Sequence, residues 1–305
     1  MTCPIRLADV TKNFGTVQAV RGVSLDLREG ETIALVGHNG AGKTTLMKLM
    51  LGLIRPTSGT IEVLGDDPAA GEFAGRRQLG YLPESVSFNT ALTGRETLRF
   101  YARLKRQPEK IIGALLERVE LAHAADRRVG GYSKGMRQRL GLAQALLGQP
   151  RVLLLDEPTT GLDPALRLVF YAIVEELRAG GTTVLLSSHA LTELEERAGR
   201  VVIMNRGLKV ADGTVDELRR IARLPTRIRI TMTDGNTGND DWLGAPGTWR
   251  RVNGHMVEIE AGDDDKIPVL HRLTREGLPV DNLDVLPPSL DELYAYFLRS
   301  EHAAP

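Results

Sequence analysis

Residues 37 to 45 read Gly-His-Asn-Gly-Ala-Gly-Lys-Thr-Thr, directly after the apolar run Thr32 to Val36 and ahead of the helix-forming segment Leu46 to Leu51. This is G-x-x-x-x-G-K-[ST] in the strand-then-helix context it requires, so the chain is expected to fold as α/β around a phosphate-binding loop. Gly37, Gly40 and Gly42 let backbone N–H groups turn inward around phosphate oxygens, and the positive end of the following helix favours the same charge. His38, Asn39, Ala41 and Thr45 complete the loop and join the candidate nucleotide-binding set. Lys43 is expected to reach the outer phosphates and Thr44 to hold magnesium. A structural glycine turn ahead of a helix is the competing reading; it does not require a lysine followed by two threonines.

A second motif lies far downstream, where Val152-Leu153-Leu154-Leu155-Asp156-Glu157 is bounded by Pro150 and Pro158. Four consecutive apolar residues suit a strand buried on both faces of a parallel sheet. A carboxylate at the C-terminal end of that strand points into the crevice where ligands bind in open α/β sheets. Asp156 is the expected magnesium partner through water, and Glu157 the residue that polarises an attacking water. A solvated acidic strand end is the alternative, and the phosphate loop in the same chain counts against it.

Lysine plus arginine equals aspartate plus glutamate at 39 each, a balance that argues against a broad nucleic-acid footprint. Cys3 is the single cysteine, which rules out an intramolecular disulfide or a thiolate metal cluster within one chain. The N-terminal MTCPIRLADV holds no long apolar stretch, and the longest apolar runs are far too short to span a bilayer, so membrane association is expected through another protein.

Between the two motifs, residues 132 to 139 read Tyr-Ser-Lys-Gly-Met-Arg-Gln-Arg, followed by Leu140, Leu142, Ala143, Leu146 and Leu147 at helical spacing. A serine before a glycine at a helix N-terminus makes a second anion site, although a merely capped helix would read the same way. Ser133, Lys134 and Gly135, just ahead of the Asp156-Glu157 strand, resemble the signature segment of ATP-binding-cassette (ABC) proteins, with Leu-Ser-Gly-Gly-Gln replaced by Tyr-Ser-Lys-Gly-Met. The resemblance covers residues 5 to about 220.

Further roles follow from that resemblance. Phe14, in Lys-Asn-Phe-Gly, matches the aromatic that stacks on adenine, a buried core phenylalanine being the competing account. Asp163, in Thr160-Gly161-Leu162-Asp163, matches the loop that communicates across paired cassettes. His189 resembles the histidine that contacts the terminal phosphate; an ordinary surface histidine at a strand end is the alternative. Glu84, in Gly80-Tyr81-Leu82-Pro83-Glu84, departs from the family, which commonly has glutamine in the loop touching magnesium and water. Glutamate can still ligate the cation, but it adds negative charge beside phosphates.

The expected fold class is a P-loop NTPase of ABC type, with an antiparallel β flank, a helical subdomain and a small C-terminal α+β domain. Strands are expected around Ile5 to Val10 and Gly22 to Leu27, and a helix opens at the Thr93/Glu96 capping box within a helix-rich stretch of about 88 to 150. Residues 1–224 form the nucleotide-binding domain and 225–305 the accessory one. In the latter, Arg227 to Met232, Met256 to Ala261 and Val280 to Leu286 read as strands, 266 to 276 as a helix, and Thr233 to Gly247 as a loop. Ser289 and Glu292 make another capping box before an apolar stripe through Leu290, Leu293, Tyr294, Phe297 and Leu298.

Residues 80 to 105 and 121 to 148, with Pro288 to Tyr294, resemble the ATPase subunits of transporters that assist copper-centre assembly in bacterial nitrous oxide reductase. What the resemblance implies is an ATP- and Mg2+-dependent ATPase, working as a homodimer at the cytoplasmic face of the inner membrane. It would bind an integral membrane permease, act with a periplasmic maturation protein on copper or a sulfur species, and bind no nucleic acid. Alternatives are the ATPase of a drug, lipid or polysaccharide exporter, a cassette protein acting on ribosomes or DNA, and a nucleotide-gated binding module with negligible turnover.

Overall fold

The computed structural model describes residues 3–71, 74–188, 191–232, 249–253, 255–262, 264–274 and 280–302, with side chains to 299. Two compact units result, one ending at Asp212 and the other beginning at Gly213.

In the first unit, β1 (Ile5–Phe14) and β2 (Val17–Leu27) form an antiparallel hairpin in which Phe14 faces Val17. This strand pair is longer than the sequence pattern suggests, because bulges between Leu7 and Asn13 break the alternation that marks a strand. After β3 (Thr32–Val36) come α1 (Lys43–Met50) and β4 (Ser58–Val63), the latter pairing with β1 to give the flank order β2-β1-β4. Next, β5 (Leu79–Leu82) leads into the helical segment of α2 (Gly94–Leu104), α3 (Ile112–Arg118) and α4 (Lys134–Ala145). The expected box opens α2: Thr93 Oγ1 accepts from Glu96 N–H at 3.1 Å while Glu96 Oε2 accepts from Thr93 N–H at 2.8 Å.

The chain then alternates through β6 (Val152–Leu155), α5 (Pro164–Ala179), β7 (Thr183–Ser187), α6 (Leu191–Glu195), β8 (Arg200–Asn205) and β9 (Leu208–Gly213). The main sheet has the order β5-β6-β7-β3-β8-β9, parallel from β5 through β8. Every residue of β3, β6 and β7 is buried, as their largely apolar character demands, with Thr32, Thr183 and Ser187 the polar exceptions at strand ends. This order decides the site, since β7 separates the strand that ends in Asp156 from the strand that feeds the glycine loop. Arg206 and Gly207, both at positive φ (44° and 83°), turn β8 into β9.

The second unit starts with α7 (Val215–Ala222), then β10 (Thr226–Met232), β11 (Trp249–Asn253), β12 (Met256–Ala261), α8 (Lys266–Leu273), β13 (Val280–Leu286) and α9 (Leu290–His302). Its antiparallel sheet runs β11-β12-β10-β13. Strand β10 alternates buried and half-buried residues, and Ile228, Ile230 and Met232 pack with Val257, Ile259, Ala261 and Leu273. The division at Asp212 falls ahead of the expected boundary at Leu224 because α7 packs on α9, with Arg219 Nε donating to Pro288 O at 2.9 Å. Ser289 opens α9 as expected, its N–H donating to Glu292 Oε2 at 2.9 Å. The loop expected over Thr233 to Gly247 lies outside the described residues.

Candidate active site

The loop after β3 is held by close backbone approach. Gly42 sits at φ 105°, and a Cβ there would lie 2.5 Å from Ala19 O; one on Gly37 would lie 2.7 Å from Met204 O. Only glycine avoids these collisions. Gly42 also makes the N-cap of α1 without a side-chain bond, so the first N–H groups of that helix are left for a ligand. Lys43 is buried and donates from Nζ to the carbonyls of Gly37 and, at 3.3 Å, His38. Burial pulls its ammonium below the ordinary lysine range, while Glu157, Asp156 and Glu84 push it back up. His38 Nε2 lies 2.8 Å from Asn205 Oδ1, anchoring the loop to the end of β8.

The acids at the end of β6 are equally constrained. Asp156 N–H donates to Leu82 O at 2.8 Å, extending the pairing with β5 by one residue. Its two carboxylate oxygens accept from two hydroxyls, Thr44 Oγ1 to Oδ2 and Ser187 Oγ to Oδ1, each at 2.7 Å. Glu157 is buried and adopts φ 48°, a left-handed conformation that costs a non-glycine residue about 1–3 kcal/mol and persists only where the surroundings enforce it. Its N–H donates to Ser187 Oγ at 3.0 Å.

These groups meet in a cleft of about 540 Å³ lined by His38 through Thr45, Glu84, Asp156 and Glu157 together with Val17, Gln18, Ala19 and Arg206. Burial first, and then the charges of Asp156 and Glu84, push the neighbouring Tyr81 hydroxyl up to about 12. Hydroxyl and carboxylate oxygens are the donors a hard cation takes. Among the described residues no three His, Cys, Asp or Glu side chains are grouped to cage a metal unaided. Thr44 and Asp156, with exposed Glu84 lining the same cleft, supply oxygen donors that fit Mg2+, an ion that keeps waters and shares substrate phosphates. Gln18, Ala19, Arg206 and Ser187 carry no motif of their own; only the pairing of strands brings them here.

Other expected site residues stand apart from this cleft. Ser133 and Lys134 are exposed at the start of α4, where Ser133 Oγ accepts from Met136 N–H at 3.2 Å, and neither they nor Gly135 line the cleft. Asp163 caps α5, accepting from Leu166 N–H at 2.9 Å. Phe14 is 49% exposed with Lys12 Nζ 4.9 Å from its ring centre, so the buried-core account of this residue is wrong. Its strand partner Val17 lines the cleft. His189 lies outside the described residues.

The chain is similar to known proteins along nearly all of its length. The ABC transporter family model matches residues 20–160. The Nod factor export ATP-binding protein I of Rhizobium sp. (strain N33) is 38% identical over 295 residues, 95% of each chain. A daunorubicin resistance ATP-binding protein of Streptomyces coeruleorubidus is 34% identical over 304 residues, 93% of this chain and 92% of that one. A solved dimeric, post-hydrolysis ATP-binding cassette bound to ADP and Pi superposes with a TM-score of 0.65 at 23% identity, covering 69% of this chain and 98% of the other, and shares its fold. Likeness that runs through both units, at a site shaped for a nucleotide's phosphates, makes this protein a member of the ABC transporter family, an ATPase of the ATP-binding subunit type.

Proposed function

We propose that two copies of the chain close over two ATP molecules, each cleft being completed by Ser133, Lys134 and Gly135 of the other copy, and that hydrolysis drives a membrane permease. One observation carries this reading. Lys43, Thr44, Asp156 and Glu157 share a cleft, whereas the capped start of α4, a second helix start with an anion-binding sequence, does not line it. A solved cassette of the same fold is dimeric, which supports pairing of two copies.

In this mechanism the loop N–H groups and Lys43 bind the phosphates, and the exposed Phe14 takes the adenine. Thr44 and Asp156, with Glu84, would hold Mg2+, whose chemistry is to neutralise charge on the phosphate oxygens. Glu157 accepts a hydrogen bond from the attacking water, and His189 contacts the terminal phosphate. Positioning and electrostatics lower the barrier. Asp163 carries the signal between copies, and Glu84 carries it toward the permease.

Ser133→Asp tests the composite site. Aspartate caps a helix as well as serine does, so α4 keeps its start, but its charge repels a phosphate. Turnover is expected to fall by about 100-fold or more, with ATP affinity of the isolated cleft unchanged; turnover near the parent value would sink the two-copy reading. Glu84→Gln is expected to change permease stimulation of the ATPase by about fivefold or more, with a smaller change in basal rate. Equal stimulation of both proteins would make the Glu84 carboxylate incidental.

The unit from Gly213 is proposed as an accessory domain that supports pairing, to be checked by the ATP-dependent dimer mass of a chain ending at Asp212. The proposed place of the chain is peripheral, held by its permease at the cytoplasmic face of the inner membrane; among the described residues no helix is long and apolar enough to cross a membrane. Two cargo readings stand. The stretches 80–105 and 121–148 support copper-site assembly of nitrous oxide reductase, with copper or a sulfur species and a periplasmic maturation protein. The roles printed for the relatives, Nod factor export and daunorubicin resistance, support an exporter. Deleting the gene and measuring copper in nitrous oxide reductase separates them: a full copper complement would remove the first reading.

A further inference from the structure

The strand order β6-β7-β3 leaves β7 between the two halves of the active site, and the last residue of β7 is Ser187. Its side chain is fully buried, so its hydroxyl answers only to neighbouring protein groups. Both neighbours are in the site. Glu157 N–H donates to Ser187 Oγ at 3.0 Å, which occupies a lone pair and directs the single hydroxyl proton to Asp156 Oδ1 at 2.7 Å. The second oxygen of Asp156 accepts from Thr44 Oγ1 at 2.7 Å. Thr44 thus gives its only proton to Asp156 and keeps its lone pairs for a cation.

A continuous chain of hydrogen bonds therefore runs from the Thr44 hydroxyl, through both oxygens of Asp156 and the Ser187 hydroxyl, to the backbone of Glu157. Glu157 needs that support, because its φ of 48° is one that a glutamate adopts only when held there. With the hydroxyl removed, Asp156 loses one of its two orienting donors, and the Glu157 N–H loses the acceptor that accompanies the left-handed turn. The hydrogen bonds of the Ser187 side chain go to Asp156 and Glu157 and not to the phosphate-binding loop, where Lys43 bonds to Gly37 and His38.

We infer that Ser187 is the positioning residue of this ATPase, setting the Asp156 carboxylate for Mg2+ and the Glu157 side chain for water with one hydroxyl. The inference rests on the roles given above to Asp156 and Glu157. It separates two functions that the motifs alone would merge, since phosphate binding belongs to the β3 loop and the alignment of the two acids belongs to β7.

The test compares Ser187→Ala and Ser187→Thr with the parent chain in three measurements: ATP affinity in EDTA, the Mg2+ concentration that half-saturates the ATPase, and kcat against KM. Ser187→Ala is expected to bind ATP in EDTA within threefold of the parent. Its kcat should fall roughly 10- to 100-fold, the range that follows a misplacement of about 1 Å, with little change in KM, and its Mg2+ requirement should rise several-fold. Ser187→Thr keeps the hydroxyl and should recover most of both losses. Should either variant fail to fold, Ser187→Cys, with a similar volume and a weak S–H donor, carries the same readouts and should resemble Ser187→Ala. Parent-like kcat and Mg2+ dependence in Ser187→Ala would overturn the inference, as would an equal loss of EDTA binding, which would mean general disruption. A parent chain without Mg2+-dependent hydrolysis would instead overturn the reading of Asp156 and Glu157, a result distinguishable from either.

Discussion

Glu157→Gln is expected to bind ATP as the parent does and to hydrolyse it about 100- to 10,000-fold more slowly, the range over which a positioned general base contributes. Size and shape barely change, so the buried position, the left-handed φ of 48° and the N–H bond to Ser187 at 3.0 Å are all retained. What disappears is the carboxylate proposed to draw a proton from water. The loop of residues 37 to 45 is untouched, and ATP should remain trapped between two copies. An ATP-bound dimer should therefore accumulate, measurable as a doubling of mass by light scattering with ATP and Mg2+ but not with ADP. Hydrolysis near the parent rate would remove Glu157 from the chemistry and leave the site without its water-activating group.

Lys43→Ala should fail at the earlier step. The ammonium is buried beside two loop carbonyls and faces a cleft with three carboxylates, Glu84, Asp156 and Glu157. Among the described residues it is the only lysine lining the cleft, and its field offsets those acids before any phosphate arrives. Hydrogen bonds to charged groups contribute about 1.5–3 kcal/mol, so the affinity for ATP should drop by roughly 10- to 100-fold, read by titrating a fluorescent ATP analogue. Turnover at saturating ATP should fall as well, since the same charge faces the transferred phosphoryl group. An affinity within threefold of the parent would show that the glycine loop and helix start suffice to hold the nucleotide. The two variants thus separate binding from chemistry: one traps ATP, the other does not take it up.

The pattern G-x-x-x-x-G-K-[ST], set between the apolar run Thr32 to Val36 and the helix-forming segment Leu46 to Leu51, determined a strand, a tight loop and a helix in that order, because a glycine loop at a helix start brings several N–H groups to one point. The apolar run Val152 to Leu155 likewise determined a buried strand with acids at its end, since four adjacent apolar residues need cover on both faces. Capping at Thr93, Ser133 and Ser289 was legible for the same local reason: each side chain answers N–H groups three residues away. Strand β11 was not legible, because its residues are largely exposed at a sheet edge and show no alternation. Nor was the unit boundary at Asp212, which depends on α7 finding α9 across a long stretch of chain.

Only the tertiary structure decided which strands are neighbours, and the active site turns on that. Ser187 and Arg206 look like ordinary strand-end and turn residues until β7 is placed between β3 and β6 and the turn after β8 is folded beside the loop. The sequence placed Thr44, Asp156 and Ser187 far apart and could mark the first two through motifs that are local in the chain. A hydrogen bond of 2.7 Å between Ser187 and Asp156 has no local signal, because it is formed by the order of strands in the sheet, and that order is settled by packing among segments distant in sequence.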